Sequence, residues 1–181
     1  MEKILPLIDY GHLNFGENKV QEANDKWSDI KVKNPNIKLH MLGKLQTNKV
    51  KLALKIFDYI HSLDGEKLAL KISEEQKKNN KKLKFFIQVN IGNEKQKSGV
   101  DKDNLINFYD YCKKLNLDVI GLMCIPPLEK DPVKYFELMS DLRNFINLEE
   151  LSMGMSSDYI EASKNYSTYL RIGTGIFGKR I

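Results

Sequence analysis

Val119 to Ile125 (VIGLMCI) is an almost unbroken apolar run, and Pro126-Pro127 stops it. A strand with one wet face alternates apolar and polar residues. A run without alternation belongs to a strand covered on both faces, as in a parallel sheet flanked by helices. The rest of the chain agrees with that constraint. Phe85 to Ile91 (FFIQVNI) is rich in strand formers and closes at Gly92-Asn93. Tyr59 to Leu63 ends at the turn pair Asp64-Gly65, and Leu39 to Leu42 is a shorter apolar run. Between these segments the apolar spacing changes to three and four, the helical period. Val20, Ala23 and Trp27 follow it, as do Val50, Ala53, Leu54 and Phe57, with Thr47 or Asn48 as the expected cap. Leu68 and Ile72 open a helix that runs into a lysine-rich stretch. Leu105, Phe108, Cys112 and Leu115 mark another, and Phe136, Met139, Leu142 and Ile146 a further one. Leu151 to Met155 and Tyr169 to Phe177 read as the last strands, with a short helix near Asp158 to Lys164 between them. Leu13 to Phe15 is a weak first strand.

Strand and helix therefore alternate throughout, in about seven strands, without a linker, a fixed repeat or a low-complexity tail. The expectation is an α/β fold, a single domain over residues 1–181, built on a parallel sheet with crossover helices. A doubly wound sheet and a (β/α) barrel both satisfy the pattern.

Charge and composition exclude more than they select. The net charge of +5 comes from 26 lysines and only 3 arginines against 24 acids, a bias that touches the whole surface and needs no ligand. The densest basic stretch, Lys77 to Lys84, is broken by Asn79 and Asn80 and lacks interleaved aromatics, so no nucleic-acid partner is expected. No apolar run approaches the ~20 residues that span a bilayer, and no leader pattern opens the chain, so the cytoplasm is the expected compartment and no membrane is involved. Cys112 and Cys124 are too few and too far apart for a zinc site and read as reduced core thiols. His12, His40 and His61 are far apart in sequence and show no metal spacing; no metal is expected. His40 opens a predicted strand, where a structural and a pocket role are equally open.

The polar, glycine-bearing ends of the last two strands are where chemistry could sit: Leu151-Ser152-Met153-Gly154-Met155-Ser156-Ser157-Asp158 and Arg171-Ile172-Gly173-Thr174-Gly175. Glycines let backbone amides approach an anion, small hydroxyls add donors, and (β/α) barrels commonly hold a phosphate in the loops after their final two strands. Neither a G-x-G-x-x-G after the first strand nor a G-x-x-x-x-G-K-[ST] is present.

Four segments occur in order: FGENKVQE (Phe15 to Glu22), HMLGKLQTNK (His40 to Lys49), LSMGMSSD (Leu151 to Asp158) and RIGTGIFG (Arg171 to Gly178). Lys97-Ser98-Gly99-Val100 and Gly121-Leu122-Met123 sit between them. Together they resemble the pyridoxal-phosphate homeostasis protein family, single-domain relatives of the alanine racemase barrel. The resemblance runs from about Phe15 to the end. It implies a (β/α) barrel that holds pyridoxal 5′-phosphate at the carboxyl mouth of its strands, in a binding or carrier role without catalytic residues. Carried over, Gly173, Thr174 and Ser156 bind the phosphate and Arg171 faces the pyridine nitrogen. Ser152 and Met153 line one face of the ring, with Asn18 and His40 on the opposite rim. The cofactor is the implied partner, together with the PLP-dependent apoenzymes that could receive it, and the implied state is a monomer or weak homodimer. The competing reading within this class is a racemase-like enzyme or a gene fragment without function.

One departure stands out. In the family a strand ending in a lysine precedes the first helix, and that lysine forms the Schiff base. Here Met1-Glu2-Lys3-Ile4-Leu5-Pro6 resembles the helix after that strand. The first strand and its lysine are therefore expected to be absent, through a misplaced start, a shortened gene, or divergence with the gap closed by a second copy. Lys3 lies on the helix side of the gap and Lys44 fills a variable place in its motif; neither is a substitute.

Overall fold

The computed structural model describes residues 2–128 and 130–178. Seven parallel strands alternate with helices: α1 (Leu5–Asp9), β1 (Asn14–Glu17), α2 (Val20–Lys33), β2 (Lys38–Met41), α3 (Val50–Ile56), β3 (Tyr59–Leu63), α4 (Glu66–Asn79), β4 (Lys84–Gln88), α5 (Leu105–Lys114), β5 (Asp118–Met123), α6 (Val133–Phe145), β6 (Glu150–Met155), α7 (Tyr159–Lys164), β7 (Tyr169–Arg171) and α8 (Thr174–Phe177). Each strand pairs in parallel with the next, in the order β1-β2-β3-β4-β5-β6-β7.

The sheet curls. Laid flat, β3 and β6 would be ~14 Å apart, three spacings of ~4.8 Å. Instead His61 Nδ1 on β3 lies 2.8 Å from Ser152 Oγ on β6. The His40 and Tyr169 rings, on β2 and β7, have centroids 5.6 Å apart. The result is a nearly closed barrel, and the choice between doubly wound sheet and barrel falls to the barrel. Among the described residues, β1 and β7 each pair with one neighbouring strand.

Alternation along the strands sorts side chains into two layers. Outward residues such as Phe15, Leu39, Ile60, Phe85, Leu122 and Leu151 pack against the helices in one apolar core. Trp27 of α2 is fully buried in that core. Its indole Nε1 donates to Glu17 Oε1 at 2.7 Å, and Lys26 Nζ reaches the same oxygen at 2.6 Å. Burial of such a large ring is favourable only because its one polar atom is matched. Cys112 and Cys124 are both free and buried in the core, and burial pushes each thiol up to about 12.

Three local expectations need correction. Thr47 and Asn48 cap nothing with their side chains; they form a 3-10 turn, Thr47–Lys49, that leads into α3. The expected strand Tyr169 to Phe177 ends at Arg171, and Thr174–Phe177 turns into a short helix after Gly173. The Phe85 to Ile91 strand stops at Gln88, after which Val89 makes a single bridge to Val100. No described helix is long and apolar enough to cross a membrane.

Candidate functional site

The inward layer is polar and aromatic. Asn14, His40, Tyr59, His61, Phe86, Ser152, Tyr169 and Arg171 occupy alternate positions on β1, β2, β3, β4, β6 and β7, and on β2, β3, β4 and β6 core residues stand between or beside them. His40 is 4% exposed and Ser152 is fully buried. Buried polar atoms must be partnered, and here they partner one another.

A hydrogen-bonded chain crosses the interior. His40 Nε2 lies 3.1 Å from Asn14 Oδ1, and His40 Nδ1 lies 2.9 Å from His61 Nε2. His61 Nδ1 lies 2.8 Å from Ser152 Oγ, which accepts from Arg171 Nη1 at 2.9 Å. Arg171 Nη2 donates to the Cys124 carbonyl at 2.8 Å. The ends fix every proton. Asn14 Oδ1 only accepts, so His40 carries its hydrogen on Nε2 and accepts on Nδ1. His61 then donates from Nε2 and accepts on Nδ1 from the Ser152 hydroxyl. Ser152 Oγ keeps a lone pair for Arg171, which only donates. The chain runs one way, Arg171 to Ser152 to His61 to His40 to Asn14, with both imidazoles neutral.

The electrostatics agree. Burial lowers His40 to about 4, with Asp58 opposing and Lys31 adding to it. Burial also holds His61 well below the usual histidine range, with His40 and Arg171 reinforcing. The rings are clamped from the side: Tyr59 stacks on His40 at 4.3 Å, and Phe86 stacks on His61 at 4.1 Å. Burial is the main cause that lowers Arg171 from the ordinary guanidinium value, with Cys124 and Asp158 opposing. Two of its five donors are used in the bonds above, so it presents a fixed cation with N–H groups to spare.

Above this layer lie the loops at the carboxyl ends of the strands. Gly154, at the end of β6, has φ +89°, a conformation L-residues rarely adopt. The turn that follows brings Met155 N to Asp158 Oδ1 at 2.6 Å. Ser156 Oγ accepts from Gly175 N at 3.0 Å, joining the loop after β6 to the loop after β7. Gly173 and Thr174 stand beside that junction and are exposed. A Cβ placed on Gly173 would meet nothing within 4 Å, so the flank of this loop is open. On the other side of the mouth, Asn18 follows β1 and is exposed. Its carbonyl would lie 2.2 Å from a Cβ on Gly43, so the loop after β2 rests on it only because residue 43 is glycine.

Of the eight residues singled out in the sequence, Ser152, Arg171 and His40 belong to the buried chain, and Ser156, Gly173 and Thr174 to the two joined loops. Met153 does not line the interior: it is fully buried in the outward apolar core, because it follows Ser152 and alternation turns it to the other face. Asn18 is on the rim and makes no side-chain bond with the chain. Sequence reasoning missed Asn14, Tyr59, His61, Phe86 and Tyr169. The signal available was a polar or aromatic residue between core positions on a short strand, as in KLHM, YIHSL and YLR. The histidines that looked remote include a touching pair. Lys3 Nζ donates to the Phe177 carbonyl at 2.6 Å, and Lys44 is exposed near Asp64.

A curled parallel sheet with a polar inner wall and an open, glycine-bearing mouth defines a cofactor-type barrel. The profile described as "Alanine racemase, N-terminal domain" matches residues 1–180. The chain is 40% identical over 189 residues to the pyridoxal phosphate homeostasis protein of Aquifex aeolicus, covering 99% of this chain and 82% of that one. It is 38% identical to the protein of the same name from Vibrio cholerae, over 99% and 81%. Among solved structures, PipY of Synechococcus elongatus without PLP superposes with a TM-score of 0.89 at 33% identity, over 98% of this chain and 87% of that one. The PLP-bound form of PipY gives 0.86 at 32%, with the same coverage. Alanine racemase of Clostridium difficile, at 13% identity and a TM-score of 0.75, shares the fold. The chain belongs to the pyridoxal phosphate homeostasis protein family.

Proposed function

We propose that the mouth of this barrel binds pyridoxal 5′-phosphate and that the protein acts as a binder and carrier in cofactor homeostasis, with PLP-dependent apoenzymes as recipients. The observation that carries the reading is the junction of the loops after β6 and β7 at Ser156 and Gly175, on the same two strands that bring the Arg171 guanidinium to Ser152. A phosphate monoester needs several donors on one side and room on the other. The amides of Gly173 and Thr174, the hydroxyls of Ser156 and Thr174, and the open flank at Gly173 fit that need. The PLP-bound structure of a relative with the same fold supports the choice of ligand.

When bound, this cofactor supplies an aldehyde and an electron-withdrawing pyridine ring. The residues decide how that ring is used. Arg171 can only donate, so facing the ring nitrogen it disfavours a proton there and weakens the ring as an electron sink. Ser152 and the Cys124 carbonyl hold the guanidinium still. His40 and His61 are neutral and committed to their neighbours, so neither is free to move a proton in a reaction. Such a site suits retention and hand-over better than carbanion chemistry.

Titration with pyridoxal 5′-phosphate, followed by the near-visible absorbance of the cofactor, tests the reading. Thr174→Ala with Ser156→Ala should weaken binding by about tenfold or more, since hydrogen bonds to a charged group are worth ~1.5–3 kcal/mol each. Unchanged affinity in the double variant removes the phosphate assignment. A cofactor spectrum unchanged by the wild-type chain removes the whole reading.

A further inference from the structure

The foot of the barrel, opposite the mouth, carries a second concentration of charge. Lys38, Asp58, Tyr59, Lys81, Lys82 and Lys84 line a shallow cleft of about 200 Å³. Lys38, Tyr59 and Lys84 are the first residues of β2, β3 and β4. Lys38 and Lys84 each stand two positions before an inward residue, His40 and Phe86, so they belong to the inner wall at its amino-terminal end. The one acid lining the cleft is already engaged: Asp58 Oδ2 accepts from Leu39 N at 2.8 Å and from Lys31 Nζ at 2.5 Å. Lys81 Nζ is tethered to the Lys55 carbonyl at 3.0 Å. Burial pulls that ammonium below the usual lysine range, with Lys31 adding to the effect and Asp58 opposing it. β5 and β6 begin with Asp118 and with Glu150, so the basic arc is confined to the side of β2 to β4.

Four lysines thus line one concavity whose carboxylate is paired with a fifth, Lys31. Like charges gathered this way repel one another, and an anion relieves the repulsion. We propose that this cleft is a binding site for a compact oligophosphate, of the pyrophosphate or tripolyphosphate class. The shape of the site selects against a nucleotide base. The Tyr59 ring is stacked on His40 at an interplanar angle of 13°, and Lys84 Nζ lies 5.9 Å from its centroid, so no aromatic face is free for stacking. Ammonium groups recognise concentrated charge without demanding planar geometry, which a short phosphate chain supplies. Tyr59 is common to the cleft and to the stacked pair with His40, so an occupant of the foot touches the wall of the interior. The proposal stands apart from the cofactor reading and survives its failure.

The test is calorimetric titration of the full chain at low salt with orthophosphate, pyrophosphate and tripolyphosphate. Two sites are expected, the mouth and the foot, and the one at the foot is that whose affinity rises along the series. Lys38→Gln, Lys82→Gln and Lys84→Gln together should lower pyrophosphate affinity about tenfold or more, through the loss of three charge-assisted contacts. Two controls locate the site. Lys51→Gln, Lys67→Gln and Lys102→Gln together remove the same charge from other surfaces and should leave the affinity within about twofold, the effect of a diffuse field alone. Ser156→Ala with Thr174→Ala should weaken the site at the mouth and leave the one at the foot as it was. Lys82→Gln alone, at an exposed position, should still cost about threefold, and this keeps the test valid if the triple variant folds poorly. Equal losses in the foot triple and the surface triple overturn the proposal. So does a loss confined to the mouth variant, or tighter binding of a phosphodiester oligonucleotide of equal charge.

Discussion

Ser152 is a single hydroxyl with two obligations, and removing it strands both partners. Ser152→Ala leaves His61 Nδ1 without a donor and Arg171 Nη1 without an acceptor. A loss of about 1–3 kcal/mol per stranded group is expected, read as a lower urea midpoint with an unchanged slope. An unchanged midpoint would show that the chain contributes nothing to stability. The imidazoles set a pH dependence as well. His40 titrates at about 4 in the folded protein against 6.5 when unfolded, so below 6.5 the unfolded state takes up protons first. Its contribution, about 3 kcal/mol for a shift of this size, is complete above pH 6.5 and is lost as the pH falls toward 4. Urea midpoints at three pH values across that window should fall steeply for the wild type and less steeply for His40→Gln, with His61 supplying the remainder. The lysines give a different expectation. The described inner-wall residues level with Ser152 and Arg171 include none, and exposed amines with reference values near ~10.4 are charged at neutral pH. Borohydride reduction with the cofactor, followed by peptide mapping, should give scattered modification; stoichiometric labelling of one residue, Lys44 for instance, would overturn this.

At the scale of elements, β5 and β6 meet at a position only glycine can fill. A Cβ on Gly121 would lie 2.2 Å from the Glu150 carbonyl oxygen, a backbone atom that cannot turn aside. Gly121→Ala should therefore cost roughly 1–3 kcal/mol, the usual range for overpacking, and a thermal melt checks it. The elements also show where sequence is informative. β5 could be read because both of its faces are covered, so its apolar run carries the constraint locally. The helices could be read because each buries one face. The end of β7 could not: Gly173 interrupts the strand pattern, and the Ile176 and Phe177 that seemed to continue it belong to a four-residue helix. The site divides in the same way. Ser156, Gly173 and Thr174 are visible as turn chemistry. His61 is not, because its partner Ser152 lies 91 residues away and only the curl of the sheet brings them together. A motif keeps Ser152 and Met153 together where the strand turns their side chains to opposite faces.

For the whole molecule, the seam between β1 and β7 matters most. Each has one pairing edge satisfied among the described residues, and Leu170 on β7 is 39% exposed. Open strand edges invite pairing with another chain. Sedimentation should show association that grows with protein concentration, and Leu170→Lys should reduce it; a variant that associates equally well would direct attention away from this edge. An unclosed sheet also needs something to keep its curl. Asn14 sits on one edge strand and Arg171 on the other, and the one-way run of protons through Ser152, His61 and His40 joins them. That run works as a drawstring threaded through the barrel. It holds only while both imidazoles keep an acceptor nitrogen. Acid supplies a proton to that nitrogen and cuts the string at its middle, leaving the two edge strands tied through the ladders of the sheet between them.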